Sequence, residues 1–379
     1  MLSSISSLSG SALTISTLLF IFNFYPQEGK QIAFFSYLTV SLISFTYNGK
    51  NILNPFRSTK ALDYNIILVT VPLFICGFVL GDVLTYNEII LYLIIGVCVS
   101  AVIILFYFVR FAIRVYFSFT NEIEDDFINK KEDNENKSNH SESEVDKRNL
   151  QNDQMRIDKQ LQSEKSIIQK DKLRHLFIFF LVFLLFSSMS NIQYVIKYST
   201  VHYMMISFFS LFCILFAYFT NTKVNLLYTL NKSSNYPYSE KDIHYSNHFI
   251  NRISIVGMIS GLICGSTGID GGILILLFMI LHNVHINILY ATINTFELVV
   301  SFFGFVYYLF EGNFNIGYIT IVMISSIIGA MIGNYIEKRY IILISENHYA
   351  NYSILITILI SIIVYPICSL IYLIYHQLH

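Results

Sequence analysis

Asp270 and Glu297 stand where a carboxyl is costly. Both lie inside long apolar stretches of this 379-residue chain, with no Lys or Arg near them in sequence. A charged carboxylate at the centre of a membrane helix costs roughly 2.5–3.5 kcal/mol on insertion scales, so both side chains are expected to face a protein interior. Two roles suit such groups. One is to load and release a proton, coupling it to movement of a solute. The other is structural, with Asp270 capping a helix and Glu297 a partly hydrated buried acid. Asp270 sits in the run Gly265-Ser266-Thr267-Gly268-Ile269-Asp270-Gly271-Gly272, which is too rich in glycine to continue a helix without cost. A helix that restarts after such a break presents free backbone N–H groups and a partial positive charge, a combination that suits an anion. The glycines Gly268, Gly271 and Gly272 allow close approach to the backbone, and Ser266, Thr267, Thr292, Asn294 and Thr295 offer polar side chains to complete a substrate site. An acid beside an anion repels it unless protonated, which is one way to link the two functions. Upstream, Gly257, Gly261 and Gly265 recur every four residues on one helix face, as close helix packing or a ligand approach requires.

Other reactive residue types are placed less tellingly. His282 and His285 are three residues apart but lack a third metal ligand nearby, so solvated loop histidines are expected. The five cysteines, Cys76, Cys98, Cys213, Cys264 and Cys368, lie in apolar segments without CxxC spacing and read as small buried hydrophobes. No catalytic residue, metal site or cofactor is expected.

The elements that must position these residues follow from composition. Hydrophobic residues make up 54% of the chain and charged ones 13%, against about 25% charged in soluble domains. Of the 49 charged residues, 24 fall between residues 121 and 173, which leaves the remainder far too apolar for water. A soluble enzyme and a disordered protein are excluded, and a net charge of -1 gives no reason to expect nucleic acid. Apolar segments near the ~20 residues needed to span a bilayer occur at 31–47, 64–81, 88–109, 176–196, 201–219, 288–310, 316–336 and 351–375. Residues 11–24 are apolar but short. Residues 253–281 are interrupted by the glycine run, and their arms, 253–264 and 271–281, are each about half a span. That pattern predicts a re-entrant hairpin enclosed by protein or lining a polar cavity. The chain has no Trp, so anchoring at the membrane interface falls to Tyr.

The few Lys and Arg residues orient the spans. Lys50, Arg57 and Lys60 mark loop 48–63 as cytoplasmic; Asp82 alone marks loop 82–87 as the opposite side. Arg110, Arg114, Lys170, Lys172 and Arg174 put the charged linker in the cytoplasm, and loop 220–252 returns there. Glu311 without a positive partner, then Lys338 and Arg339, require that 253–281 enter and leave on one side. Three spans follow each short or broken segment, with opposite charge bias, as inverted-topology repeats predict. The fold expected is an all-α polytopic membrane protein. Its first repeat is 1–115 and its charged cytoplasmic linker, expected to be disordered, is 116–173. An extra helix pair occupies 174–220 and a cytoplasmic loop 221–252. The second repeat is 253–379, each repeat being a broken or re-entrant hairpin plus three transmembrane helices.

The run Gly257-x3-Gly261-x3-Gly265-x2-Gly268-Ile269-Asp270-Gly271-Gly272 resembles the G-x3-G-x3-G-x2-G-I-G-G-G signature of the sulfite exporter TauE/SafE family. Ala291-Thr292-x2-Thr295-Phe296, Ser301, Tyr307-Tyr308-Leu309, Gly312 and Gly329-Ala330-x2-Gly333 are similar to the stretches that follow it in the family. In the front half, Tyr47-Asn48, Leu62-Asp63-Tyr64-Asn65, Pro72, Gly77 and Gly81 resemble the first repeat of plant-like members. Two positions depart from the pattern. Asp270 replaces a usual glycine, and only Gly10-Ser11-Ala12 stands for the front glycine cluster. The resemblance implies an integral membrane transporter that exports sulfite, an organosulfonate or a similar small anion. Protons are the expected coupling ion and the lipid bilayer the surroundings. The alternatives are a non-transporting receptor-like protein and a transporter of a cationic solute. An intramembrane protease is not expected, because Gly268-Ile269-Asp270 lacks the glycine directly before the aspartate and Ser266 sits in G-S-T-G.

Overall fold

The structure is a computed structural model. It describes residues 14, 18, 26–46, 61–85, 169–192, 200–233, 243–268, 270–282, 284–311 and 316–344. Among these residues there are eight helices and no strand: α1 (Pro26–Ser44), α2 (Tyr64–Thr85), α3 (Lys170–Ile192), α4 (Thr200–Ser233), α5 (Asn247–Thr267), α6 (Gly272–Leu281), α7 (Ile286–Glu311) and α8 (Ile316–Ile344). Six of them, α2, α3, α4, α5, α7 and α8, are long and apolar enough to cross a membrane. The expected spans 88–109 and 351–375 lie outside the described residues. So do the front glycine cluster, nearly all of segment 11–24, the loop residues 47–60 and the linker residues 116–168.

Each expected span that is described is a helix, but boundaries differ in three informative places. Asp82, expected in a loop, lies in the last turn of α2 and is 2% exposed. The helix runs on because Asp82 has buried partners there, which its own segment could not reveal. α4 continues to Ser233, into the region expected as a loop from residue 220. The first arm of the broken segment is not half a span: α5 has 21 residues. It starts at Asn247 because the Ser246 hydroxyl accepts a hydrogen bond from the Phe249 amide, a serine N-cap. It ends at Gly268, whose φ of 75° is a left-handed C-cap that glycine adopts freely, and whose amide donates to Cys264 O.

After Gly268 the chain doubles back. The Ser260 hydroxyl donates to Gly271 O, so Gly271 lies beside α5 about two turns before its end. The ten residues of α6 then descend about 15 Å, half the ~30 Å hydrocarbon core. Near the bottom, Phe278 and His282 of α6 lie 5.5 and 5.1 Å from the Phe249 ring at the start of α5. The segment therefore enters and leaves at one end, the hairpin that the charge pattern required.

α2 is the most enclosed of the crossing helices and lies parallel to α5. Their backbones meet along a groove. A Cβ on Gly261 or Gly265 would strike Phe74 O or Phe78 O, and one on Gly77 or Gly81 would strike Met258 O or Leu262 O. The glycine stripe of α5 thus serves packing. α7 also runs parallel to α2, pairing Thr292 with Asp63 and Tyr308 with Asp82. α1 is antiparallel to α7, with Phe34 against Tyr308 and Ser41 against Ser301. α3 and α4 clasp this core through Phe179, Phe183 and Phe209, with Phe183 4.9 Å from Phe303. Their outer faces expose Phe177, Leu185, Phe208 and Phe219, and α8 exposes Ile316, Ile321 and Met331. Apolar surface of this extent suits lipid, not water. The protein is an integral, multi-pass membrane protein.

Candidate functional site

The α5–α6 turn brings the two deep acids together. The Asp270 carboxylate accepts a 2.9 Å hydrogen bond from the Gly272 amide, an Asx turn at the first residue of α6. Glu297, on α7, approaches the same point. A Cβ built on Gly272 would lie 2.8 Å from Glu297 Oε1 and 3.3 Å from Asp270 Oδ1, so both carboxyls flank this glycine. Glu297 is 5% exposed, and its Oε1 has no hydrogen-bond partner among the described residues. One helical turn before it, Asn294 is 1% exposed, and neither its amide nitrogen nor its oxygen has a partner there. An unpaired buried polar group costs about 1–3 kcal/mol, so these unmet hydrogen bonds invite a ligand or water.

Of the other expected site residues, Ser266, Thr267 and Thr295 are buried and spend their hydroxyl protons within their own helices. Ser266 and Thr267 both donate to Ile263 O, at 3.1 and 2.7 Å. Thr295 donates to Ala291 O at 2.9 Å. Thr292 accepts from the Asp63 amide at 3.1 Å. The first three hydroxyls retain acceptor lone pairs, not spare protons, whereas that of Thr292 keeps its proton to donate. Gly268 closes the turn and its carbonyl accepts from Tyr37 OH at 3.0 Å, while Gly271 packs beneath the Phe74 ring. His282 Nδ1 lies 2.8 Å from Phe278 O at the helix end and His285 Nδ1 accepts from the Asn287 amide, both local roles. Among the described residues no three His, Cys, Asp or Glu side chains gather as a metal site. Cys76, Cys213 and Cys264 are free and buried.

A second polar cluster was missed. Lys30 of α1 forms a 2.9 Å ion pair with Asp82 of α2, their side chains 4% and 2% exposed. Lys30 Nζ also donates to Gly265 O at 3.0 Å, near the carbonyl-rich end of α5 where the helix dipole is negative. Tyr308 OH donates to Asp82 Oδ1 at 3.1 Å and Tyr307 OH to Asp82 Oδ2 at 3.2 Å. Four helices are tied together by this one cluster. The sequence holds a faint signal: Lys30 comes just before an apolar span and Asp82 just after one, where charges are ordinary.

A family model decides the relationship. The model described as "Sulfite exporter TauE/SafE" matches residues 166–364, just over half of the chain. The chain belongs to that family. The match spans α3 to α8, so it contains the hairpin, Asp270 and Glu297. No curated protein and no solved structure matches the chain. As a TauE/SafE family member with six helices long and apolar enough to cross a membrane among its described residues, it is a membrane transporter.

Proposed function

We propose that the chain moves a small anion, sulfite, an organosulfonate or a similar oxyanion, by alternating access around the tip of the α5–α6 hairpin. The observation that carries this is the meeting of the α6 N-terminus with the buried Glu297 carboxyl, whose Oε1 is unpartnered among the described residues, as are the amide atoms of Asn294 one turn before it. The first amide of α6 is engaged by the chain's own Asp270 carboxylate, which marks that amide as able to hold an anion. Two carboxyls side by side in a buried site are held together most readily by a shared proton. Entry of an anion and occupancy of that proton are then linked, which makes Asp270 and Glu297 the coupling pair.

Alternating access needs two halves that rock against each other, and inverted repeats supply them. In support, α1 packs on α7 and α8, while α7 packs on α1 and α2. That is the partner pattern expected if α1 with α2 and α7 with α8 are equivalent pairs. The antiparallel course of α1 and α7 agrees with it. In this reading the charged linker 116–173 is cytoplasmic. The two carboxyls favour one other substrate class, a cation bound between Asp270 and Glu297. Reconstitution in liposomes separates the two. Flux of sulfite, sulfoacetate or sulfate above that of protein-free vesicles supports the anion reading. No flux of any of them, with or without a proton gradient, overturns it.

A further inference from the structure

The Lys30–Asp82–Tyr307–Tyr308 cluster has more donors than a structural ion pair needs. A buried ion pair loses several kcal/mol per ion to desolvation and adds little to stability. Inside a membrane protein such groups mark a functional pathway by default. Here one ammonium and two phenol hydroxyls converge on the two oxygens of a single carboxylate, with all three donor distances between 2.9 and 3.2 Å. Among the described residues, Lys30 is the sole buried Lys or Arg. The donors come from α1 and α7, whereas the carboxylate comes from α2. The donor set is therefore separable from its present occupant by movement of one helix end.

Sulfite, sulfonate and sulfate oxygens accept the same hydrogen bonds as a carboxylate. The location also fits. Tyr307 lies ten residues beyond Glu297 on α7, about 15 Å along the helix toward the end opposite the hairpin mouth. Tyr308 is fully buried and Tyr307 is partly exposed.

We propose that Lys30 Nζ, Tyr307 OH and Tyr308 OH form a second oxyanion site, held in this structure by the Asp82 carboxylate as a resident stand-in. A small oxyanion in transit takes the place of Asp82 on these donors, and Asp82 takes it back when the anion leaves. The site rests on the anion reading above and adds its cationic element, which the Asp270–Glu297 tip lacks.

The test compares wild type with Lys30→Met/Asp82→Asn, which removes both charges and leaves no unpaired ion, with Tyr307→Phe/Tyr308→Phe, and with Asp82→Asn alone. Sulfite and sulfate flux into proteoliposomes gives KM, and the melting temperature in detergent with either anion or with chloride reports binding without transport. The Lys30→Met/Asp82→Asn variant should raise KM at least tenfold and lose the anion-dependent rise in melting temperature. The double Phe variant should raise KM threefold or more. Asp82→Asn, which weakens the competitor, should lower KM. Wild-type KM in a well-folded Lys30→Met/Asp82→Asn protein overturns the site while leaving the transport reading intact. Should that variant fail to fold, an unchanged KM in Tyr307→Phe/Tyr308→Phe overturns it instead. If wild type shows no anion flux, the transport reading falls, and the site then stands or falls on the melting shift alone.

Discussion

At the scale of single residues, Asp270 and Glu297 were legible because a carboxyl in an apolar run is conspicuous by type alone. Their meeting at Gly272 was not, since 27 positions separate them and only the turn after Gly268 closes the gap. Lys30 and Asp82 were illegible for the complementary reason. Each sits at the end of an apolar run, where charges are ordinary, and 52 positions separate them. The carboxyl pair makes a definite prediction. Glu297→Gln keeps the shape of the side chain but cannot share a titrating proton with Asp270. Flux measured across a pH series should lose its pH dependence in this variant while remaining measurable. An unchanged pH profile would remove Glu297 from the coupling.

Helices that carry these residues were found from hydropathy and length, and errors gathered at their ends. A hydropathy window registers the apolar middle of a helix but misses polar caps such as Ser246, which sets the start of α5. Replacing Ser246 by Ala should cost about 1 kcal/mol of stability, read from thermal unfolding in detergent. The glycine stripe was visible by its four-residue spacing, but its partner was not, because Phe74 and Phe78 supply backbone oxygens that any residue has. Gly261→Ala should therefore destabilise by about 1–3 kcal/mol through overpacking against α2. Gly329 on α8 has nothing within 4 Å of a built Cβ, so Gly329→Ala should be neutral or slightly stabilising. Equal effects at the two glycines would mean that the α2–α5 contact is not a close-packed one.

For the whole molecule, uneven charge gave both the membrane class and the same-side hairpin, since Lys and Arg placement carries topology. It gave nothing of the lateral arrangement, in which α2 becomes the enclosed hub and α8 an exposed edge, because neither helix has a polar face set against an apolar one. The hairpin can be tested in intact membranes. On a cysteine-free background, Asn247→Cys and His282→Cys should react with an impermeant thiol reagent from the same side, and Ile316→Cys from the other. Labelling of positions 247 and 282 from opposite sides would make residues 247–281 a crossing segment and remove the proposed site.

In the proposed mechanism this family member carries a small oxyanion linked to protons at the hairpin tip. The most direct measurement records sulfite flux and lumenal pH together in the same proteoliposomes. Saturable sulfite movement is expected with a parallel pH change above the protein-free background, the pH change being lost in Glu297→Gln. Contradiction would be either no sulfite flux at all, or full flux whose accompanying pH change is the same in wild type and Glu297→Gln.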